Sequence, residues 1–149
     1  IAFRMKPIDA AAKGIAVQLF ESGVTEEISL IKESWGTAGS PGPDLILTIN
    51  GARVAHIAGL FSNSTWLHVA AVVRTDDYTA SLYLNGVEVD TGSGFSGDNS
   101  QFNGLHVCND SSVSNAFTEG IIDSLGVWDR QLSVEEISVL SSNNNSYEQ

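Results

Sequence analysis

Trp66-Leu67-His68-Val69-Ala70-Ala71-Val72-Val73 is apolar on both alternating faces except at His68. That pattern marks a central β-strand covered on both sides. Asp76-Asp77 follows as a turn, and Ser81-Leu82-Tyr83-Leu84 then meets Val87-Glu88-Val89 across Asn85-Gly86. Asn-Gly adopts the positive φ angles of a type I′ turn at little cost, so this is a hairpin. A second hairpin is predicted upstream, where Leu45–Ile49 meets Arg53–Ile57 across Asn50-Gly51.

Working outward, alternation continues. Ile1-Ala2-Phe3-Arg4-Met5-Lys6 alternates apolar with small or charged residues and stops at Pro7, as a half-buried strand does. Ile15–Phe20 and Ile28–Lys32 repeat the pattern, and Phe102–Cys108 and Gly120–Trp128 are read as two further strands. Residues 34–43 and 92–101 are loops by composition. Ser133 and Glu136 form a Ser-x-x-Glu capping box, and Val134, Ile137 and Leu140 are expected on one face of the helix behind it. About ten short strands with one terminal helix give an all-β, antiparallel sandwich. A single domain is expected over residues 1–141, followed by an Asn/Ser-rich flexible tail, 142–149.

Composition narrows the function. The 149 residues are 42% hydrophobic and only 17% charged, with 14 glycines, which suits one domain with a real core and many turns. Seven basic residues oppose 18 acidic ones, for a net charge of −11, and no two basics are adjacent. Nucleic acid is therefore excluded as a partner. No apolar run approaches the ~20 residues needed to cross a bilayer, so membrane insertion is not expected. Cys108 is alone and can form no internal disulfide.

Three stretches together resemble one family. Trp66–Val72 with Ser81–Gly86 is similar to the "W-x-H-V-A … L-Y-x-N/D-G" signature of laminin-G-like, concanavalin A-like jelly rolls. Gly120–Ser133 resembles that family's closing "G-x-I-D-x-V-x-I-Y-N-R-x-L-S" segment, and Ile1–Pro7 its early strand. The resemblance implies a jelly-roll sandwich and an extracellular or surface recognition module. It also implies a further strand ahead of Ile1, to be supplied by a longer chain or by a neighbouring subunit.

Candidate ligand-binding residues follow from their surroundings. Trp35 stands among Ser, Gly, Thr and Pro, where no periodic partner buries it, and a loop aromatic can stack on a pyranose ring. Asp98, Asn99, Asn103, Asn109 and Asp110 flank the Phe102–Cys108 strand. They offer acceptors for sugar hydroxyls or hard oxygen ligands for calcium, with Asp98 and Asp110 the candidate metal ligands, although Asn and Asp also serve as ordinary turn residues. Trp66 and Trp128 are expected in the core, Asp123 as a buried bracket, and His68 as a satisfied core histidine.

Enzymatic motifs fail on inspection. Gly92–Gly97 satisfies G-x-G-x-x-G, but more loop follows where a dinucleotide site needs a helix. Glu88-Val89-Asp90 resembles a glucanase E-x-D-x-x-E, yet the second glutamate would fall on Ser93. His56, His68 and His106 lack zinc spacing. Sequons at Asn63, Asn109 and Asn144 carry no weight in a chain so rich in Asn and Ser. The expectation is a non-catalytic module binding a glycan or a surface protein, with calcium as a candidate cofactor. The alternative is a structural or protein–protein module of a virion, tail fibre, pilus or surface layer, packed against neighbouring subunits.

Overall fold

The computed structural model describes residues 1–7, 14–22, 26–33, 42–62, 65–97, 102–108 and 120–142. Ten strands appear in order: β1 (Ala2–Pro7), β2 (Gly14–Phe20), β3 (Glu27–Lys32), β4 (Leu45–Ile49), β5 (Ala52–Ile57), β6 (Leu67–Arg74), β7 (Thr79–Leu84), β8 (Val87–Ser93), β9 (Gly104–Val107) and β10 (Gly120–Gly126). A short 3₁₀ turn, Leu60–Ser62, precedes β6, and the helix α1 spans Val134–Ser142. One sheet runs β10-β1-β6-β7-β8 and the other β5-β4-β3-β2-β9, with every pairing antiparallel. This is the expected jelly-roll sandwich.

Its core lies between the sheets. Phe3, Leu30, Leu47, Phe61, Val69 and Leu82 are withdrawn completely from solvent. Burying each such side chain contributes about 1.5–3 kcal/mol, which offsets the chain entropy lost in ordering the strands. Both Asn-Gly pairs form tight turns, with φ of 50° and 78° at Asn50-Gly51 and 50° and 84° at Asn85-Gly86. The Asn85 Oδ1 also accepts the His68 N–H at 2.9 Å, tying the second hairpin to the central strand.

A second, smaller cluster sits on the outer face of the first sheet. Ala2, Ala70, Val72 and Tyr83 pack there against Leu132 and Ile137. The helix end is fastened by the expected capping box: Ser133 N–H donates to the Glu136 carboxylate at 2.8 Å, and Glu136 N–H donates to Ser133 Oγ at 3.2 Å. Val134 lies exposed, so the helix buries Ile137 and part of Leu140 without it. This cover buries β1 on both faces, where alternation alone predicts a half-buried strand. Trp66 and Trp128 are half-buried on the outer face, outside the main core. Trp128 lies against Gly126, whose missing side chain makes room for the indole.

Asp123 is exposed, not buried. Edge strand β10 has a bulge where β1 pairs with it between Ala2 and Arg4, and Ser124 takes φ of 55° there. The Asp123 carboxylate simply accepts the Ser124 N–H at 2.7 Å.

Among the described residues the sandwich closes on one side and gapes on the other. Edges β5 and β8 meet tightly, with Asp90 accepting the His56 N–H at 2.9 Å. On the other side β9 and β10 stand apart and present Leu105, Val107 and Ile121 to solvent. A groove of about 1050 Å³ opens there, with Leu19, Ile28, Ala71, Val73, Leu105 and Val127 in its walls.

Candidate functional site

On the outer face of the second sheet, strand alternation collects polar groups in one place. Beyond the register shift between Ile15 and Val17, Val17 and Leu19 face the core, so Gln18 and Phe20 point out. Opposite them, β3 turns Glu27 and Ser29 outward, and β9 contributes His106. Gln18 is the hub: its amide N–H donates to Glu27 Oε2 at 2.7 Å, while its Oε1 lies 3.0 Å from His106 Nδ1. The His106 ring stacks on Phe20 with centroids 4.3 Å apart and planes 29° from parallel. That stack needs Gly104, because any side chain at Gly104 would strike the Phe20 ring.

Phe20, Glu27 and His106 are half-buried and reach solvent, whereas Gln18 and Ser29 form a buried floor behind them. Ser29 Oγ is sealed from water without a hydrogen-bond partner. Nearby, Glu27 N–H donates to Asn50 Oδ1 at 2.8 Å, and the Asn50 amide donates to the Ser96 carbonyl. A flat aromatic surface beside a carboxylate, an amide and an imidazole can stack on one face of a ligand and hydrogen-bond its hydroxyls.

Of the residues expected from sequence to bind ligand, Asn103 alone lies among the described ones. It is exposed beside Phe20; its N–H donates to the Phe20 carbonyl at 3.1 Å and its Oδ1 accepts the Ser22 N–H at 3.0 Å. Trp35, Asp98, Asn99, Asn109 and Asp110 lie outside the described residues, as do the three sequons. Gly97, which precedes Asp98 and Asn99, follows the Ser96 tether to Asn50 at the Glu27 end of the sheet. Lys32 and Cys108, which precede Trp35 and Asn109, sit at the opposite end, where Lys32 pairs with Gly14 and Cys108 N–H donates to Ala16.

Gln18, Phe20, Glu27 and His106 escaped the sequence reading because each sits inside a strand. The available signal was a polar Gln18 and Glu27 at outward positions of otherwise apolar segments.

The glucanase resemblance dissolves in the geometry. A register shift between Leu82 and Tyr83 sets Glu88 and Asp90 on different partners. Glu88 accepts the Tyr83 hydroxyl at 2.9 Å, while Asp90 reaches His56 on the other sheet. Among the described residues no three His, Cys, Asp or Glu side chains gather as a metal site. Burial pushes the Cys108 thiol up, away from a reactive thiolate. No helix among the described residues is long and apolar enough to cross a membrane.

Residues 1–138 match the family model described as the Concanavalin A-like lectin/glucanases superfamily. Among solved structures, a heptameric SAP-like pentraxin from Limulus polyphemus is similar at a TM-score of 0.58 and 20% identity, over 96% of this chain and 69% of that one. An S-layer domain-containing protein from Clostridium thermocellum aligns at 22% identity over 90% of this chain and 65% of that one, with a TM-score of 0.38. No curated protein sequence matches the chain.

Proposed function

The chain belongs to the concanavalin A-like lectin/glucanase superfamily, and from that premise we propose that it is a non-catalytic module that binds carbohydrate. The fold fits a carbohydrate-binding or recognition module. The observation that carries the finer reading is the solvent-reaching Phe20–His106 stack with its Gln18–Glu27 hydrogen bond. A pyranose ring would lie on Phe20 while Glu27 and His106 take its hydroxyls. Asn103 would extend the contact, and Trp35, Asp98, Asn99, Asn109 and Asp110 are proposed as further ligand-binding residues. In this proposal residues 1–141 act as one domain, 142–149 as a tail, and the module works outside the cell or on a particle surface.

Few contacts per site make binding weak, to be raised by clustering. A glycan array probed with monomeric and clustered protein tests this directly; silence from both forms removes the sugar assignment. Calcium is proposed only as a ligand of Asp98 and Asp110, and calorimetric titration without heat or stabilisation ends that part.

A second reading draws on the open side of the sandwich. Among the described residues β9 and β10 are the outer strands of their sheets, and they flank a groove of mixed apolar and polar lining that reaches the core at Leu19 and Ile28, which suits an extended strand from a neighbouring subunit. A particle or surface-layer protein would use it for assembly. Light scattering that returns a monomer at all concentrations would count against that use.

A further inference from the structure

On the outer face of the first sheet, away from the Phe20–His106 face, lies a polar group that neither the core nor the proposed sugar site uses. Arg4 on β1 and His68 on β6 are direct partners across the ladder, which places their Cβ atoms about 5 Å apart. They are 6% and 5% exposed. The Arg4 guanidinium lies over the Trp66 ring, 5.0 Å from its centroid. Among the described residues no carboxylate stands within ion-pair distance of it. Asp123, its partner on β10, is exposed and hydrogen-bonded to Ser124 N–H instead.

An arginine is always charged, and a charge drawn out of water without a counter-charge is costly. A ring face offsets part of that cost but leaves the edge of the guanidinium fork unused. Beside it, His68 Nδ1 is sealed from solvent and has no hydrogen-bond partner. Burial first and the Arg4 charge second hold this imidazole below its ordinary pKa, so it is neutral and donates from one ring nitrogen.

We infer that Arg4, His68 and Trp66 form a binding site for a single carboxylate group, of the kind an acidic sugar carries. The planar guanidinium fork matches a planar carboxylate in two parallel hydrogen bonds, and a small rotation of the His68 ring brings its unpartnered nitrogen to a third. Trp66 packs beside the carbon skeleton. A group of higher charge is disfavoured, because Asp123 stands on the next strand and the chain carries a net charge of −11.

NMR titration of the full chain with sodium acetate, sodium glucuronate, glucose and sodium sulfate tests this site. Acetate and glucuronate should produce saturable shifts of the Trp66 indole and His68 ring signals, with glucuronate the tighter of the two; glucose should not. Arg4→Gln should weaken glucuronate at least tenfold, and Arg4→Lys, which keeps the charge and loses the fork, should weaken it by a similar factor. Reading each titration at the Trp66 and His68 signals, apart from those of Phe20 and His106, separates this site from the neutral-sugar proposal. The inference is overturned by any of four results: no saturable shift with either carboxylate, shifts centred on Phe20 and His106, sulfate binding as tightly as glucuronate, or wild-type affinity in a folded Arg4→Lys protein.

Discussion

Gly92 on β8 approaches the Val54 carbonyl of β5 so closely that a Cβ added to it would stand 1.9 Å from the oxygen. This contact joins the edges of two different sheets, and the Asp90–His56 hydrogen bond lies in the same pair of strands. Among the described residues it makes the sandwich asymmetric, sealed along β5–β8 and open along β9–β10. The clash is with backbone, which cannot rotate away, so the strands must separate.

Gly92→Ala should therefore destabilise the fold by about 1–3 kcal/mol, in the range of overpacked cores. For a chain of this size that lowers the thermal midpoint by roughly 2–4 °C per kcal/mol. Differential scanning calorimetry checks it, and an unchanged midpoint would refute the close approach.

The helix cap gives a pH signature. Glu136 is held down to about 2, first by the Arg130 guanidinium and next by the Ser133 N–H. Its folded-state value lies below the ordinary 4.5. Its contribution is therefore complete above that value and is lost as pH falls toward 2. Glu136→Gln should flatten the acid limb of the stability curve between those limits. Ser133→Ala should cost about 1 kcal/mol at neutral pH. Urea titrations at several pH values read both.

His68 acts in a different window. Its folded-state pKa is lowered by burial and by Arg4, so the unfolded chain takes up a proton near pH 6.5 that the folded chain resists. Stability should fall as pH drops below about 6.5, the unfolded-state value. His68→Gln should remove that slope, leaving a shallower dependence below neutrality. An identical slope in the variant would show that the imidazole takes up its proton equally well in both states.

For the proposed sugar site, Phe20→Ala should reduce glycan affinity about tenfold, as expected when a stacking ring is removed. Gln18→Leu should act through its neighbours, freeing Glu27 and His106 to rotate and weakening binding by about three- to tenfold. Both variants should bind as wild type if recognition resides solely around Trp35.

The strands, the two hairpins and the capping box were legible because each rests on neighbours in sequence. Alternation at Ile1–Lys6, Asn-Gly at positions 85 and 86, and Ser133 with Glu136 are all local signals. The candidate site was less legible. Loop composition pointed to Trp35 and to the Asp98–Asp110 region, whereas the described polar face is built from Gln18, Phe20, Glu27 and His106, which lie up to 88 residues apart.

By itself, then, the amino-acid order determined that this chain forms short antiparallel strands with one capped helix, since backbone sterics and side-chain period act over a few residues. Only tertiary structure decided which strand lies beside which. Bulges and helix cover also left Asp123 exposed, placed Trp66 over Arg4 and buried β1 on both faces. Those outcomes depend on contacts between distant segments, where a one-residue shift in register exchanges one face of a strand for the other.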